Sequence, residues 1–167
     1  GALDLTTLAE LKRLGVQKVW IAGGTGAVSQ QVEMDLGAAG IFNIERISGS
    51  NRYETSVEIA KKLDAGSQAV LATGSDYPDA LSISVIASKL GMPILLTQKN
   101  SLPQKTKDFL NQNNIFKTYI IGGEGVISSQ VEQQVPGANR LAGSNRFSTN
   151  VEILKEFAGE LNFENIY

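Results

Sequence analysis

The chain has 167 residues with a formal net charge of −2, and 42% of its residues are apolar while 19% are charged. This balance is typical of a folded globular protein, argues against broad nucleic-acid binding, and leaves no apolar run near the roughly 20 residues that a membrane-spanning helix needs. Because the chain contains neither histidine nor cysteine, it has no Ser-His-Asp triad, no thiolate nucleophile, no disulfide and no ordinary zinc site.

Short apolar, β-branched runs alternate with helical patterns along the chain. Strands are predicted at residues 18–22, 44–47, 69–72, 93–97, 118–121 and 140–141. Helices are predicted at residues 7–14, 53–63, 79–90, 106–113 and 146–157. Strands that are buried on both faces and alternate with helices predict an α/β fold with a parallel sheet and right-handed crossovers.

Two of the helix starts carry the spacing of a capping box. Asn51 stands three residues before Glu54, and Ser129 stands three residues before Glu132. In this motif the first side chain accepts a hydrogen bond from the backbone of the third residue along, and the acidic side chain reaches back. Asn51 and Ser129 are therefore predicted to open helices.

The chain contains an internal repeat in two blocks. Residues 21–33 (IAGGTGAVSQQVE) and 120–132 (IIGGEGVISSQVE) share eight of thirteen positions, 99 residues apart. Residues 47–59 (ISGSNRYETSVEI) and 141–153 (LAGSNRFSTNVEI) also share eight of thirteen, now 94 residues apart. A repeat with one change of loop length indicates a duplicated structural unit.

The repeat divides the chain into three parts. If a unit begins at its short arginine-bearing strand, residues 44–137 form one complete module, residues 1–40 the C-terminal part of a preceding repeat, and residues 138–167 the N-terminal part of a following one. Such a division leaves strand edges that favour association. We therefore expect the flanks to pair with each other or with a second chain, as a possible dimer.

Arg52 and Arg146 hold equivalent positions just after Gly-Ser-Asn, at the start of a predicted helix. A helix N-terminus offers backbone N–H donors and a partial positive charge, and an arginine adds a planar fork for carboxylate or phosphate. In parallel sheets, ligands bind beyond the carboxyl ends of the strands, where these loops belong. Both arginines are therefore candidates for binding an anion.

Arg46 and Arg140 repeat six residues earlier, on the short strands. They extend the set of candidate anion-binding residues to one pair per module. The alternative for all four arginines is structural, with each guanidinium paired internally to Asp76 or Asp79 at a strand–helix corner. The two aspartates are themselves better read as helix caps than as an acid pair.

Two glycine-rich loops, residues 23–26 and 122–125, follow strands and precede helices as a phosphate-binding loop does. Neither fits G-x-G-x-x-G, and no G-K-[ST] follows. We expect these glycines to provide positive φ and close strand–helix packing instead. Trp20 and Tyr119 hold equivalent strand positions and are expected in the core or at an interface, with sugar stacking as the lesser alternative.

Taken together, the blocks RISGSNRYETS (46–56), LATGSDYPDALS (71–82), PILL (93–96) and IIGG (120–123) resemble the cell-wall-binding repeat 2 family over essentially the whole chain. The resemblance implies a Rossmann-like module, found in tandem on Gram-positive and especially clostridial surface proteins. It further implies non-covalent attachment to an anionic wall polysaccharide or teichoic-acid-like polymer, a trimeric arrangement of modules, and a role for the PILL block in attachment. From its residues alone that block is a buried strand, so its effect on binding should be indirect.

The leading hypothesis is therefore a secreted, non-catalytic module of the cell wall or cell surface, without a cofactor or metal. Its partners would be an anionic wall polymer and neighbouring repeats of the same family. The alternatives are a nucleotide-binding Rossmann-like enzyme domain and a purely structural surface-layer assembly unit. The candidate ligand-binding residues are Arg46, Arg52, Pro93, Ile94, Leu95, Leu96, Arg140 and Arg146.

Overall fold

The structure is a computed structural model that describes residues 1–63 and 66–161. The chain forms two compact units, Gly1–Ile59 and Ala60–Tyr167. No helix among the described residues is long and apolar enough to cross a membrane.

Helices and strands alternate along the chain, as predicted. The helices are α1 (Leu5–Arg13), α2 (Gln30–Ala38), α3 (Arg52–Ala60), α4 (Pro78–Lys89), α5 (Gln104–Gln112), α6 (Ser129–Glu132) and α7 (Arg146–Glu156), followed by a 3₁₀ turn at Ala158–Glu160. The strands are β1 (Lys18–Ala22), β2 (Asn43–Ile47), β3 (Gln68–Thr73), β4 (Ile94–Thr97), β5 (Lys117–Ile121) and β6 (Ala138–Leu141).

The first unit contains a two-stranded parallel sheet in which β1 pairs with β2. Ile21 stands opposite Arg46 in this ladder. The apolar core of the unit gathers on one face of the sheet, around Ile21, Leu36 and Ile41. The alternation along β1 follows from this one-sided packing, because successive side chains of a strand point to opposite faces.

The second unit contains a four-stranded sheet in the order β4-β3-β5-β6, with every pair parallel. The two central strands are buried almost throughout, which explains their unbroken apolar runs, since helices cover both faces of such sheets. Helices α4 and α7 pack on one face, where Ile83 and Ile153 meet Tyr119 and Leu141. The predicted α/β fold is confirmed.

Two local predictions differ from the structure. The N-cap of α6 is Ser128 rather than Ser129, and its side chain makes no capping hydrogen bond. The Asn51 cap is confirmed, because its Oδ1 accepts a hydrogen bond from the Glu54 backbone N–H at 3.0 Å. The Glu54 carboxylate reaches back to the N–H of Ser50, one residue before the predicted partner.

Each arginine-bearing strand pairs with the strand that precedes it in the chain. Strand β2 pairs with β1, and β6 pairs with β5. The second compact unit begins at Ala60, just before β3, whereas the module predicted from the repeat begins at residue 44, at β2. The division into 1–40, 44–137 and 138–167 therefore stays a prediction. The expected pairing of the flanks also stays a prediction, and residues 162–167 lie outside the described part.

Candidate functional site

A cleft of about 400 Å³ opens at the carboxyl ends of β3, β5 and β6 in the second unit. Its walls come from the three loops that leave these strands, and they include Asp76, Asp79, Gly122 and Arg146. This is the edge of a parallel sheet at which ligands bind in open α/β folds. The structure thus places one of the predicted anion-binding residues, Arg146, in a cleft.

Arg146 is the first residue of α7, and its side chain is 58% exposed. The guanidinium Nη2 lies 3.7 Å from Asp76 Oδ2. An ion pair of this length between two exposed side chains contributes little to stability. The guanidinium can therefore exchange Asp76 for an incoming anion at small cost.

The N-terminus of α7 is closed by its own cap. Asn145 Oδ1 accepts hydrogen bonds from the backbone N–H groups of Phe147 and Ser148, both at 3.0 Å. Ser148 Oγ in turn accepts one from the N–H of Asn145. The prediction of free helix N–H donors for an anion is therefore wrong for Phe147 and Ser148, and the side chain of Arg146 is the main cationic group of the cleft.

Asp79 forms the opposite wall of the cleft, against a glycine. A Cβ on Gly122 would lie 2.7 Å from Asp79 Oδ2, and Gly122 has a φ of +107°. Burial raises the pKa of the Asp79 carboxyl above its ordinary value, the charge of Arg146 lowers it, and the charge of Asp76 raises it. The cleft thus holds the guanidinium of Arg146, its ion-pair partner Asp76, and the half-buried carboxyl of Asp79.

The two aspartates do not cap α4 through their side chains. The N-cap of this helix is Tyr77, with no side-chain capping hydrogen bond, and Asp76 Oδ1 accepts a hydrogen bond from the adjacent N–H of Tyr77. The capping prediction is wrong because Tyr77 occupies the N-cap position, which leaves Asp76 one residue before the cap and Asp79 inside the first turn. Asp79 still lies in that turn, where its charge suits the helix dipole.

Asp79→Asn is expected to stabilise the protein at pH 7 by less than about 1 kcal/mol, since solvent screens a half-buried charge. Because the pKa of Asp79 is raised in the folded protein, its ionised form destabilises the folded state relative to the unfolded one. This destabilisation is present above the folded-state pKa and fades as the pH falls, since the carboxyl is then protonated in both states. The advantage of the variant should therefore vanish at about pH 3. Urea unfolding at the two pH values measures it, with Asp108→Asn on α5 as a control. An equal gain at both pH values would contradict the expectation.

Arg46 and Arg140 point inward, with side chains only 16% exposed. Arg140 donates to Glu132 Oε2 and, at 2.7 Å, to the carbonyl oxygen of Gly122. Arg46 makes the same bonds in the first unit, to Glu33 and to the carbonyl oxygen of Gly23. These arginines fix the glycine loop to the following helix, so their predicted contact with a ligand stays untested.

The internal partners of these arginines are glutamates, not the predicted Asp76 and Asp79. The sequence already pointed to these glutamates, because Glu33 and Glu132 occupy the same position in the two copies of the first repeated block. Acidic residues that repeat together with buried arginines are candidates for the same ion pair. The exposed Arg146 does have Asp76 as its partner, as predicted.

A second repeated residue also escaped prediction. Thr149 Oγ1 accepts a hydrogen bond from the N–H of Gly143 at 3.1 Å, and Thr55 Oγ1 accepts from Gly49 at 3.0 Å. Each threonine ties the Gly-Ser-Asn loop to the helix that follows. In this way the loops before Arg52 and Arg146 have the same construction, and Arg52 is likewise exposed at the first position of α3.

Residues 94–96 of the PILL block form the start of β4, which pairs with β3 at one edge of the four-stranded sheet, and Pro93 directly precedes this strand. Pro93 and Leu95 are buried, and Ile94 and Leu96 are partly buried. None of the four lines the cleft. The structure gives this strand a place in the sheet, and its predicted role in attachment stays untested.

The glycine loops have the expected backbone role. Gly23 and Gly122 adopt positive φ values of 123° and 107°, which favour glycine. Over the described ranges 1–63 and 66–161, no group of three or more acidic side chains is placed to hold a metal ion.

Comparison with known proteins finds matches over most of the chain. A family model described as Cell wall binding domain 2 (CWB2) matches residues 46–132. The N-acetylmuramoyl-L-alanine amidase LytC of Bacillus subtilis is 38% identical over 154 residues, which are 92% of this chain and 31% of that protein. The amidase enhancer of the same organism is 34% identical over 157 residues, which are 92% of this chain and 21% of that protein.

A solved structure shares the fold. Cwp6 from Clostridium difficile superimposes with a TM-score of 0.84 at 34% identity, over 95% of this chain and 26% of that one. The chain therefore spans less than a third of the length of each of these proteins.

Proposed function

Because the chain belongs to the Cell wall binding domain 2 family, we propose that it attaches a surface protein to an anionic wall polymer and carries out no turnover. Membership of the family makes it a cell wall binding domain, and the relatives indicate a wall or surface location. We further propose that the protein is secreted and that its ligand is an anionic polysaccharide or a teichoic-acid-like polymer.

The observation that carries the proposal is the exposed guanidinium of Arg146 in the cleft at the carboxyl ends of the strands. A planar guanidinium binds a phosphate or carboxylate through two parallel hydrogen bonds. The pair with Asp76 is long and solvent-exposed, so an anionic group of the polymer can replace the carboxylate.

The same geometry predicts weak binding at each site. Asp76 and Asp79 repel an anion, and Asp76 competes for the guanidinium. A polymer with many anionic groups overcomes this weakness when several linked sites engage it, because linkage raises the effective concentration. Arg52 supplies the equivalent side chain in the first unit, and neighbouring repeats in a trimeric arrangement would supply others.

The remaining candidate residues support the site indirectly. Arg140 holds the carbonyl of Gly122, which lines the cleft, and Arg46 holds that of Gly23 in the first unit. The PILL strand aligns with β3, whose end leads into the loop that carries Asp76. A change in either element would move the cleft walls without removing a ligand contact.

Arg146→Glu is expected to weaken retention on purified walls about tenfold, since it removes a charge-assisted hydrogen bond and adds repulsion. Asp76→Asn should strengthen retention, because it removes the competing carboxylate. The measurement is sedimentation of the chain with purified walls, before and after removal of the anionic polymer, at low and high salt. Retention should depend on the polymer and fall with salt.

The matched control is Lys155→Glu, which makes the same charge change in the last turn of α7, away from the cleft. Retention that survives removal of the polymer would overturn the proposal. If Lys155→Glu and Arg146→Glu reduce retention equally, binding depends on net charge alone, and the cleft is not the binding site.

A further inference from the structure

Asp79 lines the cleft with a carboxyl that lacks a hydrogen-bond donor. The side chain is partly buried in the first turn of α4, and a Cβ on Gly122 would lie 2.7 Å from its Oδ2. Among the residues that the structure describes, no N–H or O–H group donates to this carboxyl, and Arg146 forms its ion pair with Asp76 instead. Burial raises the pKa of the Asp79 carboxyl, and only the charge of Arg146 lowers it. Asp79 is therefore an acceptor that the protein itself leaves unsatisfied at the wall of the cleft.

The charges of the cleft disfavour a ligand that offers an anion alone. Among the described residues that line the cleft, Arg146 is the only cationic side chain, whereas Asp76 and Asp79 are both acidic. A bare phosphate that pairs with the guanidinium is therefore also repelled by Asp79. A ligand that brings a hydroxyl group to Asp79 offsets this repulsion with a charge-assisted hydrogen bond. The arrangement favours an anionic group and a hydroxyl on the same ligand.

The glycine loop leaves room for such a ligand. Gly123 and Gly125 line the cleft, and a Cβ on either residue would meet nothing within 4 Å. The cleft volume of about 400 Å³ is in the range of pockets that hold small ligands. The cleft therefore has space for one sugar or polyol unit together with its anionic group.

We propose that Asp79 selects the ligand of the cleft by accepting a hydrogen bond from a hydroxyl next to the anionic group that Arg146 binds. This assignment rests on the proposed function, and it narrows the ligand to an anionic polymer whose sugar or polyol units carry free hydroxyls. A site built to hydrogen-bond a hydroxyl discriminates against an analogue without one, because its acceptor is then left unpaired. Asp76 has a different effect, since it is exposed and competes with the ligand for the guanidinium.

The test compares three phosphate esters on the whole chain: glucosyl phosphate, glycerol phosphate and methyl phosphate, of which the last has no hydroxyl beside its phosphate. NMR titration of the backbone N–H signals of Gly122 and Arg146, which line the cleft, measures the affinity for each. At least one hydroxyl-bearing ester is expected to bind about tenfold more tightly than methyl phosphate. The better of the two distinguishes a sugar unit from a polyol unit. Equal affinity for all three esters, or no binding of any, would overturn the proposal.

Two variants separate hydrogen bonding from charge, with thermal unfolding as the check that both are folded. Asp79→Ala removes an acceptor and a repelling charge, so it should weaken binding of the preferred ester about fivefold and strengthen binding of methyl phosphate about twofold. Asp76→Ala is the matched control, because it removes the same charge from the same cleft, and it should strengthen binding of every ester.

If Asp79→Ala also strengthens binding of every ester, Asp79 is only a repelling charge and the proposal is overturned. Retention of the unmodified chain on walls, dependent on their anionic polymer, would be unaffected by that result. Failure of this inference is therefore distinct from failure of the proposed function.

Discussion

Replacing Arg140 with methionine is expected to lower the free energy of unfolding by about 2–3 kcal/mol. The guanidinium bonds Glu132 and the carbonyl oxygen of Gly122 from a largely buried position. Methionine keeps the length of the side chain but leaves the carboxylate and the carbonyl without these donors. Urea unfolding followed by circular dichroism measures the loss.

Two further variants isolate the cause. Arg146→Met removes an equally charged but exposed side chain, and its loss should stay below about 0.5 kcal/mol. Adding Glu132→Gln to Arg140→Met should recover part of the stability, because the unpaired carboxylate is then neutral. Equal losses in the two methionine variants, or no recovery in the double variant, would contradict the internal role of Arg140.

Gly122→Ala is expected to destabilise the protein by about 2–3 kcal/mol. The added Cβ would meet Val126 Cγ2 at 2.6 Å and Asp79 Oδ2 at 2.7 Å, on a backbone with a φ of +107°. The side chains of Val126 and Asp79 would have to shift, and the backbone conformation at residue 122 would remain strained for a residue with a Cβ. Thermal and urea unfolding measure the effect.

The neighbouring glycine provides the control for this variant. A Cβ on Gly123 would meet nothing within 4 Å, and its φ lies outside the positive range. Gly123→Ala should therefore be close to neutral. A similar loss at both positions would indicate that the whole loop tolerates no side chain, and that contact with Asp79 is not the reason.

The fold could be predicted because its signals are local or repeated. The strand at Lys18–Ala22 was predicted to its exact bounds, and the apolar run of β3 indicated a strand covered on both faces. The duplicated blocks then showed which elements correspond. Periodicity and repetition are properties of the chain itself, so no knowledge of the contacts was needed.

The site was only partly predictable, because exposure depends on neighbours far away in the chain. The four arginines look alike in sequence, yet Arg140 bonds the carbonyl of a loop 18 residues earlier while Arg146 faces solvent. Trp20 and Tyr119 likewise hold the same position in the repeat and differ in burial. Spacing identifies equivalent positions, but the partner that buries one of them comes from the tertiary structure.

The cleft has a consequence for how arrays of this family can grow or shrink. One wall comes from residues 73–126 and the other from residues 143–149, so under the predicted division of the chain at residue 138 the two walls would belong to successive repeats. Unequal recombination that removes or adds whole repeats in phase rebuilds the same junction each time. An open series of repeats then holds one cleft fewer than its repeats, and closing the series on itself restores the missing one.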